Sequence, residues 1–360
     1  MEILKKREEK GYGVELYYIC ENEEHKIKAK KIPSGGKRVL SAPLDVHIAV
    51  TNKCNMTCSY CYANDKKFSK QIDMTFTEII NIIDQCYNSN VFKLSWSGGE
   101  PLCRPEIFEI LEYASRKNFR QSIITNGTLI TDEKARILEK LQISVQISLH
   151  EVHDITFWEK CKLLIENNIN VILDVVIDES IQENINSIIN YCRKIGIKNV
   201  KFGPIIPIGL AKESIILEDY KITINKVLKE IDKHRNQNDI RIVTQFDNHK
   251  YKKESQILDL RDLLCEGATT LIYIDNNGDV YPCPLLKGYE QFFAGNILKN
   301  GIIDIWNGKV MNEYRRINTK ETGCYGCDQI CGVWCRGLTI AYTGEISGHS
   351  PFCENTIERG

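Results

Sequence analysis

Short apolar runs alternate with amphipathic stretches between residues 45 and 240 of the chain. The apolar runs, rich in β-branched residues, predict buried strands at 45–50, 91–96, 121–125, 143–148, 170–176 and 198–202. Apolar residues at helical spacing predict helices at 75–88, 105–118, 131–140, 154–167, 182–195 and 218–236. This succession predicts an α/β fold with a parallel sheet and right-handed crossovers, two strand–helix units short of a full barrel.

The N-terminal segment has a different pattern. Residues 11–32 alternate apolar and polar side chains around an acidic turn, which predicts a hairpin, and residues 33–36 have the composition of a linker. Two interpretations of this hairpin stay open. It is either a small appendage on the barrel or a docking edge to which an extended peptide adds as a strand.

Composition narrows the class of protein. The chain has 360 residues, with 47 basic and 48 acidic side chains and a formal net charge of −1. This balance predicts no nucleic-acid partner and no membrane partner. The first residues are charged rather than apolar, and no apolar run approaches the roughly 18 residues of a membrane span. We therefore expect a cytoplasmic protein.

Three cysteines follow the first barrel strand directly: Cys54, Cys58 and Cys61. Thiolates hold iron–sulfur clusters, and a [4Fe–4S] cube needs four ligands, so three local cysteines leave one iron open. A structural zinc site would instead need a further pair of cysteines or histidines at regular spacing. The triplet therefore favours an iron–sulfur cluster with an open iron.

The Cys-x3-Cys-x2-Cys spacing, with Tyr60 before the last cysteine, resembles the signature loop of the radical S-adenosylmethionine (SAM) enzymes. The resemblance implies a partial (β/α)6 TIM barrel and a SAM molecule chelated to the open iron. It also implies reductive cleavage of SAM to a 5′-deoxyadenosyl radical, with a flavodoxin or ferredoxin as electron donor. Tyr60 would pack near the adenine.

Further segments at the ends of the predicted strands follow the same family. Gly98, Gly99 and Glu100 resemble the motif that holds the amino group of SAM, and Ser148 resembles a serine that contacts SAM. Residues 204–211 resemble a loop that faces SAM or substrate. Two positions depart from the pattern. His150 replaces an aspartate, and Phe157 stands where an arginine would grip the SAM carboxylate, so that clamp is left unassigned.

A second group of cysteines lies toward the C-terminus. Its members are Cys265, Cys283, Cys324, Cys327, Cys331, Cys335 and Cys353. An odd number of thiols in a chain without an export signal argues against disulfides, and no histidine pair completes a zinc site. Gly278 lies in a predicted hairpin turn that delivers Cys283. Iron–sulfur clusters are again favoured.

The order of these cysteines resembles the SPASM domain, a C-terminal extension with two auxiliary [4Fe–4S] clusters. The resemblance assigns three ligands to auxiliary cluster I: Cys265, Cys283 and Cys335. It assigns four to cluster II: Cys324, Cys327, Cys331 and Cys353. The fourth ligand of cluster I is not identified, and the spacing from Cys327 to Cys331 is shorter than in the family. We expect three [4Fe–4S] clusters in all.

These features predict four segments: an N-terminal extension (1–44), a radical SAM partial barrel (45–240), a connection (241–264) and a cysteine-rich SPASM domain (265–360). The preferred function is maturation of a ribosomally made precursor peptide by a thioether or carbon–carbon crosslink. A formylglycine-forming sulfatase maturase is disfavoured because Pro284 stands where those enzymes carry an aspartate base. A haem-pathway radical SAM enzyme and a protein that only carries clusters are the remaining alternatives. No catalytic acid or base is assigned.

Overall fold

The computed structural model of the protein describes residues 2–21, 24–36, 39–63, 72–211, 216–235, 239–246, 265–319, 335–349 and 351–352.

The N-terminal region is a three-stranded antiparallel sheet. The sheet consists of β1 (Glu2–Glu9), β2 (Val14–Glu21) and β3 (Glu24–Lys31), in the order β1-β2-β3. β2 and β3 form the predicted hairpin, and β1 adds a strand that the sequence pattern did not predict.

Polar side chains of β1 attach this sheet to the rest of the molecule. Lys5 is only 7% exposed, and its Nζ donates to the carbonyl of Val91 at 3.0 Å. Arg7 is equally buried and donates to the carbonyl of Ala42 at 2.9 Å. These contacts satisfy buried charged groups with backbone oxygens, so the strand docks without an apolar inward face.

The predicted α/β architecture is confirmed in the central region. In chain order its elements are β4 (Asp45–Ala49), α1 (Phe76–Asn88), β5 (Lys93–Ser97), α2 (Ile107–Arg116), β6 (Arg120–Thr125), α3 (Asp132–Lys140), β7 (Ser144–Leu149), α4 (Ile155–Glu166), β8 (Val171–Ile177), α5 (Glu179–Ile195), β9 (Asn199–Pro204), α6 (Leu217–Arg235) and β10 (Arg241–Thr244). All neighbouring strands from β4 to β10 pair in parallel. The fold is an incomplete barrel whose strands end at one edge of the sheet, where the loops that follow them meet.

The two faces of the strands differ in polarity. On β8, buried residues alternate with partly accessible ones along the whole strand. The buried side packs against the helices, whereas the other side carries polar groups such as Gln146 on β7 and Asp174 on β8, which are joined by a 2.7 Å hydrogen bond. This second face is the concave inner surface of the partial barrel.

The C-terminal region continues the same sheet. It contains β11 (Leu271–Ile274), β12 (Asp279–Tyr281), β13 (Gly295–Asn296), α7 (Ile302–Trp306), α8 (Lys309–Thr319) and α9 (Arg336–Thr343). β11 pairs in parallel with β4, and the strand order is β10-β9-β8-β7-β6-β5-β4-β11-β12-β13. None of the helices in the described segments combines the length and apolar composition needed to cross a bilayer.

Candidate active site and cluster-binding sites

The first cysteine loop leaves the sheet at the end of β4. Asp73 fixes its beginning, because its carboxylate accepts from the Thr51 hydroxyl at 2.6 Å and from the Asn52 backbone N–H at 2.8 Å. The same carboxylate accepts from the side-chain amide of Asn276 at 2.9 Å. Asp73 therefore connects the cysteine loop to the turn between β11 and β12.

The three predicted thiols of this loop are near one another. Cys54 is exposed, and Cys58 and Cys61 are half-buried. Burial raises the pKa of Cys58, and the neighbouring thiols of Cys61 and Cys54 raise it further. Within the described residues, no three Cys, His, Asp or Glu side chains are close enough to hold a single metal ion. Three thiols on one short loop are a fitting ligand set for a [4Fe–4S] cluster with one open iron.

The glycine pair after β5 packs directly on the cysteine loop. A Cβ atom on Gly98 would lie 2.2 Å from the carbonyl oxygen of Thr51, and one on Gly99 would lie 2.3 Å from that of Lys53. The backbone N–H of Gly99 donates to the Thr51 carbonyl at 2.9 Å. Only glycine permits this close approach of two backbones. The glycine pair is therefore required for packing against the cysteine loop, in addition to its predicted contact with SAM.

Glu100 lies beside the triplet and is 1% exposed. Its carboxylate accepts from the Thr125 hydroxyl and the Asn126 backbone N–H, both at 2.8 Å, and from the Leu102 backbone N–H at 3.0 Å. Burial raises the pKa of Glu100, although these hydrogen bonds oppose the shift. Glu100 also raises the pKa of Cys54, after the larger effect of burial, which places the carboxylate close to the first thiol. A carboxylate offers about four acceptor positions, so about one position remains for the predicted ammonium group of SAM.

His150, which replaces the aspartate of the family pattern, lies at the centre of this site. The Nδ1 atom of His150 is 2.5 Å from the Tyr60 hydroxyl and 3.6 Å from the Cys58 sulfur. The two rings stack at 5.9 Å with an interplanar angle of 15°. The Nε2 atom of His150 is buried without a hydrogen-bond partner. The signal in the sequence was the histidine in place of the family's aspartate.

The remaining predicted SAM contacts occupy the same edge of the sheet. Ser148 is half-buried near the end of β7 and pairs with Asp174 across the sheet. Phe157 is 8% exposed and packs edge-on against Trp158 at 5.2 Å, so it belongs to the core around α4. In the loop after β9, the backbone N–H of Leu210 donates to the carbonyl of Cys61 at 3.2 Å. That loop therefore contacts the cysteine triplet.

The second cysteine group is described in part, because Cys324, Cys327, Cys331 and Cys353 lie outside the described residues. Cys265, Cys283 and Cys335 lie close to one another. Burial raises the pKa of Cys283 well above its ordinary value, and the thiols of Cys265 and Cys335 raise it further. Burial also raises the pKa of Cys335 to about 12. Clustered thiols in such surroundings fit a cluster that holds them as thiolates.

Close packing brings Cys335 to Cys283. Cys335 is the N-terminal cap of α9, and Cys283 precedes a 3₁₀ turn, Pro284–Leu286. A Cβ atom on Gly337 would lie 2.7 Å from the Cβ of Leu285, so a glycine is needed where helix and turn meet. The N-termini of both elements point backbone N–H groups toward the thiols, which favours negative charge there.

The loop after β9 lies between the two cysteine groups. The Tyr342 hydroxyl on α9 donates to the carbonyl of Ile205 at 2.6 Å, and α9 begins directly after Cys335. At its other end the loop contacts Cys61 through Leu210.

Comparison with known proteins agrees with this geometry. The Radical SAM superfamily model matches residues 48–219, and the SPASM model, an iron–sulfur cluster-binding domain, matches residues 265–328. An AdoMet-dependent heme synthase from Methanosarcina barkeri is 24% identical, over 87% of this chain and 97% of its own length. The mycofactocin maturase MftC from Mycobacterium tuberculosis is 26% identical, over 88% of this chain and 84% of its own. The structure of Streptococcus suis SuiB bound to S-adenosylmethionine superposes with a TM-score of 0.68 at 20% identity, over 88% of this chain and 78% of that one.

The chain is therefore a radical SAM enzyme that carries a C-terminal SPASM domain. This family binds SAM and iron–sulfur clusters, as the sequence predicted. The individual ligand assignments and the number of clusters stay predictions.

Proposed function

We propose that the enzyme is a peptide maturase that forms a thioether or carbon–carbon crosslink in a ribosomally made precursor peptide. MftC is a maturase by name, and SuiB has been crystallised with its precursor peptide SuiA, a structure that superposes on this chain with a TM-score of 0.68. The observation that supports the proposal is the loop after β9. It donates from Leu210 to the carbonyl of Cys61 and accepts from Tyr342 of α9, which begins directly after Cys335, so a substrate at this loop would lie near both cysteine groups.

Each cofactor has a proposed set of protein ligands. The first cluster would be held by Cys54, Cys58 and Cys61. SAM would be bound by Tyr60, Gly98, Gly99, Glu100 and Ser148. Two auxiliary clusters would be held by Cys265, Cys283 and Cys335 and by Cys324, Cys327, Cys331 and Cys353. When bound, these groups supply reductive SAM cleavage, hydrogen abstraction and a sink for the electron left after crosslinking. A flavodoxin or ferredoxin would deliver the initial electron.

The surroundings of Cys283 count against formylglycine chemistry. Pro284 follows the cysteine and begins a 3₁₀ turn, so it offers no base. Asp275 lies in the same region but is 1% exposed and forms an ion pair with Lys287 at 2.8 Å. Its carboxylate is therefore enclosed rather than open to a bound peptide.

A haem-pathway activity is the second candidate. It is favoured by the similarity to the Methanosarcina barkeri heme synthase, which this chain matches over 97% of that protein's length. The two candidates differ in substrate, since one needs a peptide and the other a haem precursor.

The N-terminal sheet is the proposed docking place for the precursor peptide. β1 and β2 connect the sheet to the barrel, and among the described residues no strand pairs with the outer edge of β3. Lys28, Lys30 and Lys31 are exposed on that strand. An extended acidic segment could add there as a further strand, with backbone hydrogen bonds supplying affinity and the lysines supplying charge complementarity.

The proposal is tested by anaerobic reconstitution with iron, sulfide, SAM and a reductant. We expect formation of 5′-deoxyadenosine, and with a peptide encoded beside this gene, a product that has lost two hydrogen atoms. Conversion of a haem precursor with no conversion of the peptide would favour the second candidate. Clusters without any SAM cleavage would contradict both.

A further inference from the structure

Two of the three described thiols in the second cysteine group, Cys283 and Cys335, directly precede a helical segment. Nearby backbone N–H groups lower the pKa of both thiols, although burial raises it by more: Leu285 and Leu286 for Cys283, and Leu338 and Gly337 for Cys335. In both cases the donors lie within three residues of the cysteine, at the start of a helical segment.

Cys265 has a different kind of partner. Its sulfur is 3.4 Å from the hydroxyl of Tyr314, a residue 49 positions away on α8. Tyr314 is 1% exposed. Either atom could donate if Cys265 carried its proton, but a cysteine bound to iron is a thiolate without one. With a cluster in place, the Tyr314 hydroxyl is therefore the donor.

The position of the Tyr314 hydroxyl is fixed by its surroundings. The ring packs at 90° against Phe292, with centroids 5.8 Å apart. A Cβ atom on Gly267 would lie 3.3 Å from the ring atom Cε1 and 3.4 Å from the hydroxyl, so the backbone after Cys265 lies directly against the tyrosine. A side chain enclosed in this way keeps its hydrogen bond in one geometry.

The helix that carries Tyr314 is attached to the same backbone segment. The Nε of Arg315 donates to the carbonyl of Ala268 at 2.6 Å, and its Nη2 donates to the carbonyl of Trp306 at 2.8 Å. The guanidinium lies 4.3 Å from the centroid of the Trp306 ring. The neighbour of Tyr314 thus holds α8 against the loop that begins with Cys265.

We propose that Tyr314 is a positioning residue for auxiliary cluster I, donating a hydrogen bond to the Cys265 thiolate and raising the reduction potential of that cluster. Hydrogen bonds to cluster sulfurs are among the factors that set reduction potentials, because they stabilise the more negative, reduced state. The inference rests on the proposed ligation of this cluster by Cys265, Cys283 and Cys335.

The test compares Tyr314→Phe with Tyr289→Phe in the reconstituted full chain. Both variants lose one hydroxyl from a ring packed against Phe292. Of these two tyrosines, Tyr314 is the one whose hydroxyl contacts a thiol in the described part of the chain. We expect Tyr314→Phe to retain its iron and its SAM cleavage while the potential of one auxiliary cluster becomes more negative. Pulsed EPR of the reduced enzyme should also lose the coupling to one exchangeable proton. Tyr289→Phe should change neither property.

Gly267→Ala gives an independent test that keeps the hydroxyl. Its new methyl group would lie 3.2 Å from the Pro282 carbonyl oxygen and 3.3 Å from the Tyr314 ring. The side chain yields more easily than the backbone, so we expect the tyrosine to shift and the potential to change less, with the same sign. Unchanged potentials and proton coupling in both Tyr314→Phe and Gly267→Ala would overturn the inference. If Tyr314→Phe does not fold, the Gly267→Ala result alone decides.

Failure of the underlying cluster assignment has a separate signature. Cys265→Ala should lower the iron content and remove one set of EPR signals. Iron content and spectra that match the unmodified protein would show that no cluster is bound there, whatever the tyrosine variants do.

Discussion

The two cysteine groups differ in how the protein surrounds them. The first triplet lies on a rim loop, with Cys54 exposed and Cys58 and Cys61 half-buried. In the second group, Cys265, Cys283 and Cys335 are all half-buried, so no described thiol there is as open as Cys54. An open iron beside an accessible thiol can take a small molecule as its fourth ligand. We therefore expect the first group to react with SAM and the second to transfer electrons.

The supporting contacts differ in the same sense. The rim loop depends on close backbone approach to Gly98 and Gly99 and on the carboxylate of Asp73. The second group depends on packed side chains, such as Tyr314 with its 90° contact to Phe292. The first group is therefore held by close backbone packing and the second by packed side chains.

The largest expected effect comes from removing one thiol from each group. Cys58→Ala should abolish SAM cleavage, because a two-cysteine loop does not hold the open-iron cluster. Cys283→Ala should leave cleavage measurable while product formation fails. Chromatography of 5′-deoxyadenosine and mass spectrometry of the peptide measure the two activities. Equal loss of both activities in both variants would contradict the proposed separation of SAM cleavage at the first group from product formation at the second.

Removal of all clusters should affect the two regions unequally. Metal-binding free energy is also folding free energy, so chelation or exposure to oxygen should lower hydrogen-exchange protection first in the 3₁₀ turn after Cys283 and in α9, which follows Cys335. Strands β6–β8 lie within the apolar core of the barrel and should keep their protection. The measurement is hydrogen exchange followed by mass spectrometry. Full protection of α9 after cluster loss would show that packing alone holds the second region.

A smaller effect is expected from Gly99→Ala. Its Cβ would lie 2.3 Å from the Lys53 carbonyl oxygen, so the cysteine loop must shift. Overpacking of this kind costs about 1–3 kcal/mol, and we expect weaker SAM cleavage as well. Gly35→Ala is the matched control, since a Cβ there meets nothing within 4 Å. Thermal unfolding and SAM cleavage of the two variants should differ clearly, and identical behaviour would refute the packing role.

The smallest expected effect concerns Tyr60→Phe. The variant keeps the ring stacked on His150 but removes the 2.5 Å contact between its hydroxyl and Nδ1. Loss of one hydrogen bond costs about 1 kcal/mol, so we expect a modest loss of stability and of SAM affinity. Calorimetric binding of SAM under anaerobic conditions is the measurement. An unchanged affinity would show that the Tyr60 hydroxyl takes no part in SAM binding.

The sequence predicted the barrel well because its buried strands are continuous β-branched runs. β1 was missed for a physical reason. Its buried positions are Lys5, Arg7 and Glu9, whose partners, such as the carbonyl of Val91, lie far away in sequence. The same limit applies to His150. Its importance depends on the approach of Cys58 and Tyr60 across the fold, which no local pattern encodes.

The pairing of β11 with β4 has a consequence for electron flow. β4 leads into the first cysteine loop, and β11 begins six residues after Cys265, with four registered residue pairs joining the strands. A hinge needs a segment free to change its backbone angles, and a continuous parallel ladder allows none between these strands. The ladder therefore fixes the spacing of the two strands when the chain folds, and we expect the proposed cluster sites to keep one separation whether or not a substrate is bound.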